Sequence, residues 1–266
     1  MTSIDLSTRD INVLEKIKDP ESNPAAGVII DSALPRDPNI IDASVYDRVV
    51  ATERSIIQSI QKIEIELSRS RGEQSPNTAA VEGYERCMSD LDGLVSEYPN
   101  YASARNNRAQ IARRLYGDAM LLSDTTTMPA PLISSPDRAE KLRVAANALN
   151  DMDTSINLLS PRTPLMPVSA QQARTLSMAH TQRAAIYMRT AKLMSQRGLD
   201  IDEGRREAHW SKLDFEEAAS RDLALGGRYG NEIAKGLAVS VNPTAKLCGE
   251  MVREAMKKEY GPAYAE

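Results

Sequence analysis

The sequence predicts an all-α protein built from helical hairpins that pack side by side. Aromatic residues make up only 4% of its 266 residues, with one Phe and one Trp, so the core must be aliphatic and rich in Ala and Met. Sheets favour aromatic and β-branched residues, whereas small side chains suit closely packed helices. Several segments also carry apolar residues at spacings of three and four, which places them on one helix face.

Composition excludes several classes of protein. The formal net charge is −4 with both signs interspersed, so no global attraction to nucleic acid or membranes is expected. Two cysteines far apart indicate no disulfide framework. No apolar run is long enough to span a membrane, and the N-terminus lacks the pattern of a secretory signal. We expect a soluble cytoplasmic protein, with a nuclear pool left open.

Residues 1–44 are predicted to form an N-terminal arm, most of it extended. Many of its residues are acidic or small, and it contains four prolines, Pro20, Pro24, Pro35 and Pro38. Two apolar patches interrupt it, Val28–Ile30 and the turn-spaced residues Ile11, Leu14 and Ile17. These patches indicate that the arm packs against the rest of the chain.

The first predicted hairpin spans residues 45–98. Its first helix runs from Val45 to about Arg71 and has one apolar face, formed by Ile56, Ile60, Ile63 and Leu67. Gly72 and Pro76 end this helix, and Asn77 can cap the next one, Ala79 to Glu97. The buried stripe of that second helix comprises Tyr84, Cys87, Leu91, Leu94, Val95 and Tyr98.

The second predicted hairpin spans residues 101–159 and opens with an unusual helix, Ala102–Tyr116. Its small residues are Ala102, Ala104, Ala109 and Ala112. Because it has little apolar bulk of its own, it must be sandwiched between other helices. Leu121–Pro136 is polar and rich in Thr and Pro, which predicts an inserted loop. The partner helix follows from Asp137 to Leu159, with Ala145, Leu149, Met152 and Ile156 facing inward.

The third predicted hairpin spans residues 169–225, after a Pro-rich break at 160–167. Its helices are Ala170–Arg197 and Asp200–Leu225, and Gly226-Gly227 stops the second. That second helix is expected to pack through Trp210, Leu213, Phe215, Ala218 and Ala219. Two terminal helices follow within 229–260, namely Tyr229–Val239 and Thr244–Tyr260. The last has an apolar stripe expected to close the array, formed by Leu247, Met251, Val252, Ala255 and Met256.

Three motifs give the chain a family resemblance. Pro99–Gln110 reads P-x-x-A-S-A-x-N-N-R-A-Q and is followed by R-x-x-G-D, which ends at Asp118. Asn242–Met251 reads N-P-x-A-x-L-C-x-x-M, and Val13–Pro20 gives a weaker match at the front. In this order they resemble the tetratricopeptide repeat protein 36 family. The resemblance implies tetratricopeptide-like hairpins over residues 45–266, stacked in a right-handed superhelix with terminal capping helices.

Catalytic chemistry has little support in the sequence. His180 and His209 lie far apart, and neither has the spacing of a metal ligand, so packed or surface histidines are favoured. Cys87 and Cys248 lie on apolar stripes, which favours buried thiols over nucleophiles. No glycine-rich phosphate loop occurs. We therefore expect no enzymatic activity, no cofactor and no bound metal.

A basic run, Arg105, Arg108, Arg113 and Arg114, raises the question of nucleic-acid binding. No aromatic residues interleave these arginines to stack on bases, and acidic residues balance the chain. A solvated helix face with groove lining is the preferred interpretation.

Binding of a protein or peptide has the better case. In tetratricopeptide arrays the first helix of each hairpin lines a concave groove. That rule predicts a groove formed by Ser103, Asn106, Asn107, Gln110, Arg113, Arg114, Met178, Thr181 and Arg189. Such side chains offer amide and guanidinium donors to carbonyls and carboxylates.

The chaperone-tail clamp found in some repeat proteins is matched only in part. Asn107 fits its second-hairpin asparagine, but Glu66 stands where an asparagine is needed, and Met178 and Gln182 occupy positions that are usually basic. Asn107 is equally well explained as a structural bridge to a neighbouring helix.

The sequence therefore predicts a non-enzymatic protein-binding adaptor. The resemblance implies a chaperone-associated role with Hsp70-type partners. The alternative is a regulatory or stabilising partner of a folded metabolic enzyme. Whether the groove is open or filled by the chain's own N-terminal arm, through Leu14, Ile17 or Val28–Ile30, is left open.

Overall fold

The computed structural model describes residues 28–69, 78–125 and 130–260, and within these ranges the chain is all-α. Its only β-type pairing there is two isolated bridges, Ile30–Val168 and Leu122–Leu199. A short 3₁₀ turn covers Arg206–His209. The eight α-helices are α1 (Ala43–Arg69), α2 (Thr78–Glu97), α3 (Ala102–Tyr116), α4 (Arg138–Leu159), α5 (Ala170–Leu193), α6 (Lys212–Arg228), α7 (Glu232–Val241) and α8 (Pro243–Tyr260). The predicted fold class is confirmed for this part of the chain.

Each helix packs against the next one in the chain, as in an array of helical hairpins. Helix α3 contacts α2 and α4, its neighbours along the chain, and also α5. The division into an arm and a repeat domain stays a prediction. Two predicted features, the apolar patch Ile11–Ile17 and the boundary at Gly72–Asn77, lie outside the described residues.

The small residues of α3 are buried, as the sequence predicts. Ala102, Ala104 and Ala109 are 0% exposed and Ala112 is 3% exposed. The absence of side-chain bulk lets the backbones approach, and the Ser155 hydroxyl on α4 donates a hydrogen bond to the Ala102 carbonyl at 3.0 Å. The helix is therefore held between its neighbours rather than by an apolar stripe of its own.

Two arginines of the basic run bind α4 instead of solvent. The Asp151 side chain is 1% exposed and receives Arg108 Nη2 at 2.6 Å and Arg105 Nη1 at 3.2 Å. Arg108 also donates to Asp92 on α2 at 2.7 Å. A buried carboxylate needs such partners to offset its lost hydration. The interpretation of Arg105 and Arg108 as a solvated, groove-lining face is wrong.

The segment after α3 is less loop-like than its composition indicates. Ala119, Met120, Leu121 and Leu122 are all 0% exposed. The Leu121 carbonyl accepts the Asp200 amide at 3.0 Å, and the Leu122 carbonyl accepts the Lys141 ammonium at 2.5 Å. The prediction of a polar insertion is wrong for Leu121 and Leu122, because the connection between α5 and α6 runs beside them and covers them.

Gly226 and Gly227 do not stop α6, contrary to the sequence prediction. The helix continues to Arg228, and the chain turns at Gly230, where φ is +109°. A Cβ atom at Gly226 would lie 2.6 Å from Thr181 Oγ1, and one at Gly227 would lie 2.7 Å from the Lys235 Cα. The glycines therefore allow close approach of α5 and α7 to α6.

The start of α6 also differs from the prediction. Residues 200–211 contain only the 3₁₀ turn, and α6 begins at Lys212 behind the N-cap Ser211. Phe215 is 0% exposed and packs edge-on against Trp210 and Tyr187, at centroid distances of 5.1 and 5.8 Å. Leu213 is 52% exposed, so its predicted inward position is wrong.

The terminal helix α8 presents its apolar stripe to solvent. Asn242 caps α8 by accepting the Ala245 amide at 3.1 Å, and Pro243 occupies the first helical position, where its missing N–H costs nothing. Leu247 is 57% exposed, Met251 is 62% exposed, and Cys248 is exposed as well. The predicted burial of these residues is wrong, because α8 makes few contacts with α6 and α7 and none of its described side chains is buried. Cys87 is buried, as predicted.

Overpacking at Ala109 tests the close approach of α3. Ala109→Leu inserts a large side chain where none fits, and we expect the free energy of unfolding to fall by about 1–3 kcal/mol or more. Gln110→Leu, one residue further on an exposed face, is expected to change it by less than about 0.5 kcal/mol. Urea unfolding followed by circular dichroism compares the two. Equal effects would contradict a tightly packed α3.

A pH experiment tests the buried ion pairs at Glu207, whose side chain is 0% exposed. Burial alone would raise its pKa, but hydrogen bonds from Arg205 and Tyr187 outweigh burial and lower the pKa from 4.5 to about 2. Since the folded-state pKa is the lower one, the ionised group stabilises the fold above pH 4.5, and this contribution is lost as pH falls towards 2.

We expect Glu207→Gln to lower the free energy of unfolding at pH 7 by on the order of 3 kcal/mol. The difference in the free energy of unfolding between the variant and the wild type should become smaller between pH 5 and pH 3. Glu203→Gln, at an exposed position on the same connection, provides the matched control. A gap that stays constant with pH would contradict the assignment.

Candidate protein-binding groove

A cavity of about 880 Å³ opens between α1, α3 and α5, the first helices of the three hairpins. It is completed by Tyr84 of α2 and by Pro131 from the segment before α4. A smaller cavity of about 570 Å³ lies between α5 and the start of α7. Met178 lines both cavities, so they are neighbours, and we name the two together the groove.

Part of the wall of the larger cavity is aliphatic. Helix α1 contributes Ile57, Ile60 and Ile65, α3 contributes Ile111, and α5 contributes Met178. Ile65 and Met178 are 49% and 38% exposed, which is unusual for such large apolar side chains. A concave surface with exposed aliphatic side chains is typical of a binding site.

Charged side chains from α1 and α3 also line the larger cavity, and two of its arginines have partners within the protein. Arg114 Nε lies 2.6 Å from Glu64 Oε1, and Arg113 Nε lies 2.7 Å from Asp118 Oδ1. The Tyr84 hydroxyl also donates to Glu64, and burial together with this carboxylate raises the pKa of Tyr84. The positive charges of Arg113 and Arg114 are therefore compensated by carboxylates of the same protein.

The geometry explains the R-x-x-G-D motif. Gly117 ends α3 with φ of +78°, a conformation that glycine adopts without strain, and its amide donates to the Arg113 carbonyl at 2.8 Å. The next residue, Asp118, then receives the Arg113 side chain. The motif thus terminates the helix and fixes one groove arginine in place.

Six of the nine predicted site residues line the larger cavity: Asn107, Gln110, Arg113, Arg114, Met178 and Arg189. Ser103, Asn106 and Thr181 are not among its lining residues. Asn106 is 2% exposed, and its side-chain oxygen accepts Gln182 Nε2 at 2.8 Å. The Thr181 hydroxyl donates to the Ser177 carbonyl at 2.7 Å. A contact between α3 and α5 therefore occupies the Asn106 side chain. The Thr181 hydroxyl is bonded within α5 and also accepts Asn231 Nδ2 at 3.2 Å.

Asn107 has a structural contact at the edge of the groove. Its amide nitrogen donates to Glu53 Oε1 at 2.7 Å, and the Tyr101 hydroxyl donates to Glu53 Oε2 at 2.5 Å. Glu53 is 5% exposed, and burial raises the pKa of its carboxyl group. Asn107 therefore bridges α3 to α1, which is the structural role that the sequence left open beside ligand binding.

Sequence reasoning missed the aliphatic wall of α1. Ile57, Gln61 and Ile65 follow one another at spacings of four and lie on a different face from the buried Ile56. This second stripe was visible in the sequence as Ile56-Ile57 and Ile63–Ile65. Periodicity cannot tell which of two adjacent stripes faces the core.

His180 belongs to a buried ion-pair network and not to an open site. It is 3% exposed, and its Nδ1 lies 2.8 Å from Asp222 Oδ1, with Arg183 on the same carboxylate. The described ranges contain no cluster of His, Cys, Asp or Glu able to hold a metal ion. None of the helices described is both long enough and apolar enough for a membrane span.

Comparison with known proteins places the chain among its relatives. No protein-family model and no solved structure match it. The L-tyrosine degradation gene cluster protein hmgX of Aspergillus fumigatus is 37% identical over 258 residues, which cover 96% of this chain and 93% of that protein.

Two shorter matches carry the name predicted from the motifs. The tetratricopeptide repeat protein 36 homologs of Drosophila melanogaster and Drosophila pseudoobscura pseudoobscura are 30% and 29% identical over 122 residues, 45% of this chain and 49% of each relative. The motif resemblance is thereby confirmed, and the chain belongs to the family of the L-tyrosine degradation gene cluster protein hmgX.

Proposed function

We propose that the protein is a non-enzymatic binding module whose groove receives a partner protein. The observation that carries the proposal is the groove itself, whose lining combines exposed aliphatic side chains with internally paired arginines. It offers contact area and no arrangement of a nucleophile, base and oxyanion donors. Absence of enzymatic activity and a cytoplasmic location, with a nuclear pool left open, stay predictions.

The groove favours an apolar ligand over a highly acidic one. A carboxylate-rich tail needs unpaired cations, and Arg113 and Arg114 already hold Asp118 and Glu64. Met178 and the α1 isoleucines instead favour aliphatic side chains of a partner. Full burial of one such side chain contributes about 1.5–3 kcal/mol of hydrophobic free energy. Association with an Hsp70-type chaperone stays a prediction, and these contacts give no support to binding through an acidic tail.

The partner that we favour is a folded enzyme of L-tyrosine degradation. The name of the Aspergillus fumigatus relative links that protein to an L-tyrosine degradation gene cluster, and the two chains match over nearly their whole length. A groove without a tail clamp is consistent with recognition of a folded surface. The module would then stabilise or regulate the enzyme.

Charge placed in the groove tests the binding surface. Met178→Glu puts an unpaired carboxylate on the apolar wall at an exposed position, so the fold should survive. Leu213→Glu makes the same change on α6, away from the groove, and serves as the control. We expect affinity purification to recover the principal partner at least about tenfold less with Met178→Glu, and unchanged with Leu213→Glu.

The double variant Arg113→Glu, Arg114→Glu should also lose the principal partner, since it replaces both groove ion pairs with repulsion between carboxylates and adds negative charge to the groove. If both groove variants still bind the partner, the binding surface lies outside the groove.

Ligand form distinguishes the two classes of partner. The rate of thermal inactivation of each purified enzyme of L-tyrosine degradation is measured with and without this protein. We expect one of these enzymes to have a longer half-life when the protein is present. An immobilised chaperone tail peptide should show no saturable binding below about 1 mM. Saturable binding of the tail, with no enzyme stabilised, would favour the chaperone hypothesis.

A further inference from the structure

We propose that a second binding site, separate from the groove, lies between α2 and α4 and accepts a lysine or arginine side chain of a partner protein. The site is a cavity of about 310 Å³, which we name the α2–α4 cleft. It shares no lining residue with either cavity of the groove, so it stands apart from the proposed function.

Residues of three helices meet at the α2–α4 cleft, since α2 and α4 both pack against α3. Glu85, Met88 and Asp92 line it from α2 at spacings of three and four, which puts them on one helix face. Glu140 and Asp151 line it from α4. With about 1.5 Å of helix per residue, the cleft extends for roughly 10–16 Å along these helices. Its volume lies near the lower end of the range for small-ligand sites, about 300–1,000 Å³, so it suits one side chain better than a whole segment.

Part of the cleft is aliphatic and suits a hydrocarbon stem. Ala112 and Leu115 of α3 are 3% and 2% exposed, and Met88 of α2 and Val144 of α4 are partly buried. All four line the cavity. Lysine and arginine bury their methylene stems along apolar surface while the charged head stays in a polar environment. The aliphatic residues therefore offer contact to the stem of a basic side chain.

At one end of the cleft the charges already have partners. Arg108 donates to Asp92 on α2 at 2.7 Å and to Asp151 on α4 at 2.6 Å. Arg105 provides a second cation for Asp151, at 3.2 Å. The carboxylates at this end are therefore compensated within the protein.

At the other end two carboxylates lack a cationic partner. Glu140 accepts the Tyr116 hydroxyl at 2.5 Å, and neither Glu140 nor Glu85 forms an ion pair with any residue of the described ranges. Burial, this hydrogen bond and the charges of Glu140 and Glu85 together raise the pKa of Tyr116. Both carboxylates thus act on the same hydroxyl group. Arg143 lines the cavity as well, but it is exposed and pairs with neither of them.

The charge of the cleft favours a cationic occupant. Its lining contains four carboxylates and two guanidinium groups, which gives a formal charge of −2. Because Arg105 and Arg108 compensate the other end, the excess lies at Glu85 and Glu140. A cationic head meets these carboxylates, and its aliphatic stem meets the apolar part of the lining. An acidic side chain would be repelled, and an aliphatic one would leave the carboxylates without a partner.

Exposed polar residues of the lining favour a protein over a free amine. Ser89 of α2 and Asn147 of α4 line the cavity and are exposed. Their hydroxyl and amide groups can hydrogen-bond to the peptide backbone that carries the basic side chain, which a free amine does not have.

Peptide selection tests the proposal. Short random peptides are selected on the immobilised full-length chain and depleted on the double variant Glu85→Gln, Glu140→Gln. We expect the peptides that remain to contain a lysine or arginine whose replacement by norleucine weakens binding at least about tenfold. Isothermal titration calorimetry measures these affinities. Failure to recover such peptides would overturn the proposal.

Matched variants separate the cleft from a general effect of charge. Asp90→Asn combined with Glu97→Gln removes the same charge from two exposed positions of α2 that do not line the cavity, and should change the affinity by less than about twofold. Arg143→Gln should strengthen binding by about twofold or more, because it removes a cation that competes with the ligand. Higher salt should weaken binding.

Three results would contradict the proposal even if basic peptides are recovered. An equal loss of affinity in the Asp90→Asn, Glu97→Gln variant would show an effect of net charge alone. Binding of n-butylamine as tight as that of the peptides would indicate a small-amine site and overturn the assignment to a protein partner. Loss of the peptides with Met178→Glu would place them in the groove. Unchanged peptide binding by that variant keeps this site distinct from the proposed function, and thermal unfolding establishes that each variant retains its fold.

Discussion

The close approach of α3 to its neighbours is the constraint on which the rest of the structure depends. Its alanines bury their small side chains against α2, α4 and α5. Because α3 has few large apolar side chains, polar contacts contribute to holding it in place. The main ones are the ion pairs of Arg105 and Arg108 with the Asp151 carboxylate. Removing one partner of such a buried pair costs several kcal/mol, so these ions fix the register of α3 on α4.

The groove follows from that arrangement. With the alanines packed inward and Arg105 and Arg108 turned to α4, the remaining face of α3 presents Asn107, Gln110 and Arg114 at spacings of three and four. Two of these side chains already have partners within the protein, because Asn107 donates to Glu53 and Arg114 donates to Glu64. What is left for a ligand is chiefly the aliphatic wall from α1 and α5. Basic composition is therefore a poor guide to what this groove recognises.

Gly226, Gly227 and the apolar stripe of α8 show that a local sequence pattern does not by itself determine the structural role of a residue. Gly226 and Gly227 resemble a helix stop, yet both lie inside α6 because Thr181 and Lys235 leave no room for a Cβ atom. The stripe on α8 resembles a buried face, yet no neighbouring helix of the described chain covers it, and Leu247 and Met251 are exposed. Spacing along the chain fixes which residues share a face, and only the neighbouring helices fix which face is covered.

The sequence by itself determined the fold class, the positions of α1 to α5 within a few residues, the burial of the α3 alanines and six of the residues that line the groove. These follow from local signals, namely periodicity, capping residues and prolines, which act within one or two helical turns. Tertiary structure decided that Asn106 and Thr181 serve packing, that Leu121 and Leu122 are covered, and that the groove's arginines are already paired. Most of these features depend on contacts between residues 50 or more positions apart, such as Asn106 with Gln182 and Arg114 with Glu64, and no local pattern encodes such contacts. The Arg113–Asp118 pair, five positions apart within the R-x-x-G-D motif, is the local exception.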